Sequence, residues 1–262
     1  MVIPGKSSAI PETDPVTPLR WRTATVAAVR DETTRARSLV LRVDEWPGHL
    51  AGQHIDVRLT SADGYQAQRS YSIASSPQAL ELEILVEQIP GGEVSPYLTQ
   101  EVRPGDRFEV RGPIGGYFVW KAAQGGPLLL VAGGSGIAPL ASMLAYRAQA
   151  APGVPTRILY SARTTADIIF RKNLELWAQR DPSFTVIHTI TRAAVAEWPG
   201  YRRRIDLEML REVAFRPDEA PLAYICGPSA MVEHTANGLV SLGYAPERVR
   251  TERFGPSGDP PP

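Results

Sequence analysis

Three short segments carry side chains whose types and spacing could do chemistry. Arg69-Ser70-Tyr71-Ser72 offers a guanidinium for phosphate, a flat phenol ring for stacking and two hydroxyls for hydrogen bonds, the groups that would hold a flavin. Gly133-Gly134-Ser135-Gly136-Ile137-Ala138-Pro139 follows an apolar run and has the form of a nucleotide phosphate loop. Cys226-Gly227-Pro228 closes another apolar run and puts a small, soft side chain at a strand end, where a nicotinamide ring could rest.

Each segment also has a plainer reading. On a strand, Arg69 and Tyr71 share a face, yet by themselves they describe an ordinary strand with a surface Arg and a half-buried Tyr. Gly91-Gly92-Glu93-Val94-Ser95 begins after Pro90. Its glycines let backbone N–H groups approach an anion, and Ser95 is expected to cap a Pro96–Gln100 turn; the plain reading is a glycine turn. Gly134-x-Gly136 lies between the run Leu128–Ala132 and a helix-compatible stretch Pro139–Ala150, the context a phosphate fingerprint requires. Pro139 replaces the third glycine of G-x-G-x-x-G and suits a first helical turn. Cys226 by itself reads as a small buried hydrophobe. No base–nucleophile pair accompanies it, and hydride transfer requires none.

Coenzyme choice is legible near Tyr160-Ser161-Ala162-Arg163. A site for NAD usually carries an acidic group after the second strand. Here Ser161 and Arg163 stand there, with Arg171 on the next element and Arg192 after the third strand. This cationic cluster favours a 2′-phosphate, hence NADPH; Asp167 is close by, and NADH is the alternative.

The elements that must position these groups fall into two textures. Between Leu19 and Trp120 the chain reads as short strands at Thr23–Arg30, Ser38–Val43, His54–Leu59, Leu80–Val86 and Arg107–Val110, which predict a closed antiparallel barrel. After Gly125-Gly126-Pro127, strands at Leu128–Ala132, Arg157–Ser161, Phe184–Thr189, Leu222–Cys226 and Arg248–Phe254 alternate with helices at Pro139–Ala150, Arg171–Arg180, Asp206–Val213 and Ala230–Leu242. That alternation predicts a parallel α/β sheet. The expected organisation is a flexible arm over residues 1–18, a barrel over 19–124, an α/β domain over 125–256 and a flexible tail over 257–262.

Composition narrows the classes. Of 262 residues, 43% are hydrophobic and 21% charged, which allows sizeable cores and argues against disorder. A formal net charge of zero gives no global sign of nucleic-acid or membrane binding. One Cys permits neither an internal disulfide nor a four-Cys cluster, and the four His show no metal-ligand spacing, so no metal site is expected. No run approaches the roughly 20 apolar residues of a membrane span. A cytoplasmic monomer is the expectation.

The order and spread of these segments resemble the ferredoxin–NADP(H) reductase family. An R-x-Y-S strand, a G-x-x-S loop, a G-G-S-G-I-A-P turn and a C-G-P-x-x-M segment occur in the family's order across residues 20–256. The resemblance implies a six-stranded antiparallel Greek-key flavin barrel followed by an α/β nucleotide domain, with the flavin between them. It assigns Arg69, Ser70 and the loop of Gly91, Gly92, Val94 and Ser95 to the flavin side. Tyr71 goes to the isoalloxazine face and Ser72 beside its reactive nitrogen. Ile73-Ala74-Ser75 looks like FAD members rather than FMN members. Gly134, Ser135, Gly136 and Pro139, with Ser161, Arg163 and Arg171, are assigned to the pyridine nucleotide. Cys226, Gly227, Pro228 and Met231 are assigned to the nicotinamide region. Glu252-Arg253-Phe254-Gly255-Pro256 resembles the segment that brings an acid and an aromatic ring to the flavin–nicotinamide contact, so Ser72, Cys226 and Glu252 are the catalytic candidates. The implied activity is hydride transfer from NADPH to FAD, then electron transfer to ferredoxin, flavodoxin or an oxygenase component. An NADH-dependent free-flavin or ferric reductase, or a nucleotide-binding electron-entry subunit, are the alternatives.

Overall fold

The computed structural model describes residues 19–193 and 197–254. The expected arm (1–18), the tail (257–262) and Gly255-Pro256 lie outside the described residues.

The first half alternates apolar and polar residues because each strand has one dry face. Strands β1 (Trp21–Asp31), β2 (Ala36–Val43), β3 (His54–Thr60), β4 (Gln66–Ser72), β5 (Leu82–Glu87) and β6 (Arg107–Ile114) form one antiparallel sheet in the order β4-β3-β6-β1-β2-β5. Its edges meet where Ile73 bridges Ile84 and the Ala74 N–H donates to the Glu83 carbonyl at 2.7 Å, so the sheet curls into a barrel. On β3, Ile55 and Val57 point into the core while Asp56 points out and pairs with Arg111 at 2.7 Å. After β5, a short turn α1 (Val94–Pro96), continued by Tyr97–Glu101, lays Val94, Leu98 and Val102 on the same core.

The second half needs strands buried on both faces. All six residues of β7 (Leu128–Gly133) are buried. The chain continues through α2 (Ile137–Ala150), β8 (Thr156–Thr164), α3 (Arg171–Arg180), β9 (Phe184–Ala193), α4 (Leu207–Val213), β10 (Leu222–Pro228), α5 (Ser229–Ser241) and β11 (Val249–Phe254). The sheet is parallel, in the order β11-β10-β7-β8-β9. From β7 the chain winds first towards β8 and later towards β10. The crevice beyond the carboxyl ends of β7 and β10 is therefore the topological switch point, where such sheets bind ligands. Among the described residues no helix is long and apolar enough to cross a membrane.

Several boundaries differ from the sequence reading. Leu80 stands outside β5 and is fully exposed, because the dry strand begins at Leu82. Asp206 precedes α4 as its N-cap and accepts the Met209 N–H at 2.8 Å. Ser95 does not cap a following turn. It lies within α1, and its hydroxyl accepts the Ile89 N–H at 3.0 Å.

The two halves share a core. One cluster joins Ala36, Ala51, Ala74, Leu85 and Phe118 to Ala132, Ile137, Met143, Tyr160 and Cys226. Gly52 permits this junction: a Cβ there would lie 2.0 Å from the Phe118 carbonyl oxygen and 2.7 Å from the Met143 methyl, at φ +104°. Gly48, at φ +82°, has nothing within 4 Å. Gly48→Ala should therefore cost only left-handed strain, about 1 kcal/mol. Gly52→Ala adds a backbone clash and should cost at least ~3 kcal/mol. Urea unfolding of both variants checks this, and equal losses would show that the shared core yields freely at Gly52.

Candidate functional site

β4 presents the flavin-side candidates in register with β3. Arg69 stands opposite Val57 and Tyr71 opposite Ile55, so both lean towards the barrel's inner face at the edge where β4 approaches β5. Tyr71 packs against the barrel core, and burial raises its phenol pKa. Arg69 is exposed, and among the described residues its guanidinium donates to the Gln68 carbonyl alone, at 2.6 Å. Ser70 faces the other way and donates to Asp56 at 2.7 Å, so its hydroxyl is engaged within the barrel wall. Ser72 is 4% exposed, and among the described residues its buried hydroxyl has no hydrogen-bond partner. A buried hydroxyl left single is costly, of order 1–3 kcal/mol, and a cofactor heteroatom beside Tyr71 would relieve it. Gly91 and Gly92 precede α1, and Tyr65 donates from β4's leading turn to Glu93 in this loop at 3.1 Å.

The nucleotide turn is shaped by close backbone contact. After β7, Gly134–Gly136 form a tight turn and α2 begins at Ile137, placing Pro139 in its first turn, where a missing N–H costs nothing. A Cβ on Gly136 would lie 2.2 Å from the Cys226 carbonyl oxygen. A Cβ on Gly227 would lie 3.0 Å from the Gly133 Cα, and one on Gly133 would lie 2.6 Å from the Met231 sulfur. The G-G-S-G and C-G-P turns thus touch backbone to backbone. The start of α2 emerges beside them as a candidate anion site, and its first amide, that of Ile137, already donates to the Gly134 and Ser135 carbonyls.

Tyr160 completes this turn and was not singled out from sequence. It is fully buried on β8, donates to the Gly134 carbonyl at 3.0 Å and accepts the Ile169 N–H at 3.2 Å. The signal was available, since a Tyr in an apolar strand requires a partner for its hydroxyl.

Cys226 is fully buried at the end of β10 and pairs in register with Glu252 on β11. Burial pushes its thiol well above the usual range, with the neighbouring Glu252 charge adding to the effect. It is a neutral thiol, which fits packing against a ring rather than nucleophilic attack. Burial also raises the Glu252 carboxyl to about 7, and among the described residues one of its oxygens has no partner. Phe254, opposite Pro228, packs on the shared core.

The groups that the sequence offers for coenzyme choice sit at the ends of β8 and β9. Ser161 is half-buried, and Arg163 and Arg192 are exposed. Asp167 is already engaged, accepting the Thr164 N–H at 3.0 Å and the Thr164 hydroxyl at 2.7 Å. Arg171 pairs with Glu175 at 2.8 Å, which shares its charge. A cavity of about 610 Å³ lies away from the switch point, between α3, β9 and Trp198. His188 lines it, with its pKa lowered to about 4 by burial and then by Arg171.

Comparison with known proteins matches this geometry. Residues 25–119 match the family described as oxidoreductase FAD-binding domain, and residues 130–237 match the oxidoreductase NAD-binding domain. The chain is 30% identical over 253 residues to the ferredoxin–NAD(P)(+) reductase component of the naphthalene 1,2-dioxygenase/salicylate 5-hydroxylase systems of Ralstonia sp., covering 95% of this chain and 74% of that protein. It is 33% identical over 210 residues to the glycine betaine monooxygenase reductase subunit of Pseudomonas aeruginosa, covering 79% of this chain and 56% of that protein. Among solved structures, the Amycolatopsis cytochrome P450 reductase GcoB superposes with a TM-score of 0.81 at 27% identity, covering 95% of this chain and 74% of that one. A ferredoxin NADP+ reductase from Neisseria gonorrhoeae shares the fold, with a TM-score of 0.75 at 22% identity over 89% of this chain and 98% of that one. The chain belongs to the ferredoxin–NADP(H) reductase family of FAD- and NAD-binding oxidoreductases.

Two expectations follow for the site. Tyr71→Ala should lower the flavin-to-protein ratio after dialysis, because it removes the flat ring that β4 presents at the barrel edge; an unchanged ratio would remove Tyr71 from the site. Glu252 bears on pH. Its folded pKa is raised, so it favours the folded state below about pH 4.5, and that contribution is lost as pH rises through about 7. The thermal midpoint of wild type should fall relative to that of Glu252→Gln between pH 5 and 8. Parallel pH profiles for the two proteins would show that Glu252 is already solvated.

Proposed function

We propose that this chain takes hydride from NADPH onto FAD and passes the electrons to a separate protein, an oxygenase component or a ferredoxin or flavodoxin, in the cytoplasm. The observation that carries the reading is the continuity of one core from Ala74, two residues beyond Ser72, to Cys226 at the switch point. That core sets the β4 segment against the nucleotide turns. The acceptor class rests on the relatives, which are named as reductase components of oxygenase systems.

In this reading FAD, when bound, accepts two electrons as hydride and releases them one at a time. The protein's own residues bind and orient. Arg69 and the Gly91–Ser95 loop hold the flavin phosphates, Tyr71 covers the ring and the Ser72 hydroxyl donates to it. Gly134–Gly136 and the start of α2 receive the nucleotide phosphates. Cys226 gives the nicotinamide a neutral, dry wall, and the buried surroundings of Glu252 exclude water from the same place. Anaerobic mixing with NADPH should bleach the bound yellow flavin, and co-purification from native extract identifies the acceptor. A flavin that stays oxidised with both NADPH and NADH would overturn the reading.

NADPH is favoured over NADH because Arg163 and Arg192 are exposed cations at adjacent strand ends, while Asp167 is committed to Thr164. A charge-assisted hydrogen bond to a 2′-phosphate is worth ~1.5–3 kcal/mol. Arg163→Ala should therefore lower kcat/KM for NADPH roughly tenfold to a hundredfold and leave NADH nearly unchanged. The loss should shrink at high salt, where the pair is screened. Equal losses for both nucleotides, or a wild-type preference for NADH, would assign Arg163 another role.

A further inference from the structure

The hydroxyl of Ser142 is fully buried and donates to the Ser75 carbonyl at 2.6 Å. Ser75 follows the flavin strand β4 by three residues, and Ser142 sits in the helix that the nucleotide turn starts. Ser142 lies six positions beyond Gly136, about 9 Å of helical rise. A single hydrogen bond therefore joins the wall proposed for the flavin to the turn proposed for the nucleotide, with a short rigid arm on each side. Among the described residues it is the one hydrogen bond by which α2 engages the barrel.

The anchor is itself held. The same carbonyl is approached by His49 Nε2 at 3.1 Å. Burial lowers the His49 pKa, so the ring is neutral, and a carbonyl partner selects the tautomer with hydrogen on Nε2. The Ser75 hydroxyl in turn accepts the Glu83 N–H at 3.0 Å, which fixes the segment to β5. Beside it, Met143 packs against the Gly52–Phe118 backbone without any polar contact. A short, buried, directional bond adds to that packing a constraint on one atom pair, Ser142 Oγ and the Ser75 carbonyl oxygen.

We infer that Ser142 is a positioning residue for hydride transfer, setting the separation of nicotinamide and flavin through its bond to the Ser75 carbonyl. The inference rests on the reductase reading above. Ser142 touches neither ligand, so its removal should leave both binding equilibria in place and degrade the geometry of the reacting pair. A misplacement of 1 Å at a reacting centre can cost a hundredfold in rate; a fraction of that displacement gives roughly tenfold.

The experiment is anaerobic stopped-flow reduction of the FAD-loaded protein by NADPH, comparing wild type with Ser142→Ala, Ser142→Cys and Met143→Leu. For Ser142→Ala the expected result is an unchanged flavin-to-protein ratio and a nucleotide Kd within about twofold. The limiting rate at saturating NADPH should fall about tenfold, with a weaker long-wavelength charge-transfer band between nucleotide and flavin. Ser142→Cys keeps the volume and a weak donor and should fall between the two. Met143→Leu, which alters packing but not the bond, should reduce at the wild-type rate. A limiting rate within twofold of wild type in Ser142→Ala, or a slowed rate explained wholly by lost FAD, overturns the positioning role. Should Ser142→Ala fail to fold, Ser142→Cys decides: slowed reduction with FAD retained supports the inference, and a wild-type rate overturns it. A wild-type flavin that neither NADPH nor NADH reduces would instead sink the reductase reading.

Discussion

The backbone contact between the turns that end β7 and β10 is the constraint on which the rest of the site depends. With the Gly136 Cα so near the Cys226 carbonyl that a Cβ would fall 2.2 Å from it, both turns must be built of glycine or end in small residues. The contact narrows the switch-point crevice to backbone dimensions. It also aims the start of α2 at whatever lies in front of Cys226. Tyr160 supports the arrangement from behind by holding the Gly134 carbonyl. The candidate phosphate site and the candidate ring site are therefore consequences of one packing arrangement rather than of two independent ones.

Burial then sets the chemistry of that place. Cys226 and Glu252 lie side by side on β10 and β11, and both are driven towards their neutral forms. A thiolate or a carboxylate there would require solvation that the core denies. Hydride transfer moves a proton and two electrons together and has no need of a charged base. A dry wall made of a neutral thiol is consistent with that reaction class and inconsistent with nucleophilic catalysis, which would call for a lowered thiol pKa.

Much of this was legible in the sequence because the signals were local. The apolar run Leu128–Ala132 followed by Gly-x-Gly could be little other than a buried strand entering a helix, and the alternation at Ile55, Asp56 and Val57 defined a barrel face. What could not be read was whatever depended on contacts far along the chain. Ser95 looked like a cap because Ser before Pro usually is one; its hydroxyl was instead recruited by Ile89, six residues upstream, once the turn packed onto the barrel. The pairing of Arg171 with Glu175, one helical turn on, depends on the helix that brings the two together. Ser142 and Tyr160 carried no motif at all. Each is marked only by an awkward hydroxyl in an apolar element, and each partner is identified only by the fold.

The two halves are joined in a way that ordinary domains are not. Interfaces between domains within one chain are usually polar and permit relative motion. Here Ala51, Ala74 and Phe118 from the first half are interleaved with Ile137, Met143 and Cys226 from the second in a single dry cluster, and Gly52 leaves room for the Met143 methyl of the second half beside the Phe118 backbone. Tyr224 from β10 donates to the Val119 carbonyl at 2.8 Å, and Arg250 from β11 to the Tyr117 and Val119 carbonyls at 2.9 Å, so the connector is fastened to the strands on the far side of the switch point. Displacing one half against the other would expose that shared core, at about 25 cal/mol for each Å² of apolar surface, and break these bonds together. The separation of the two candidate binding walls is therefore set by the folded core together with the buried bonds that cross it, before any ligand arrives. Hydride transfer, whose rate depends steeply on donor–acceptor distance, is a reaction that such a core would favour.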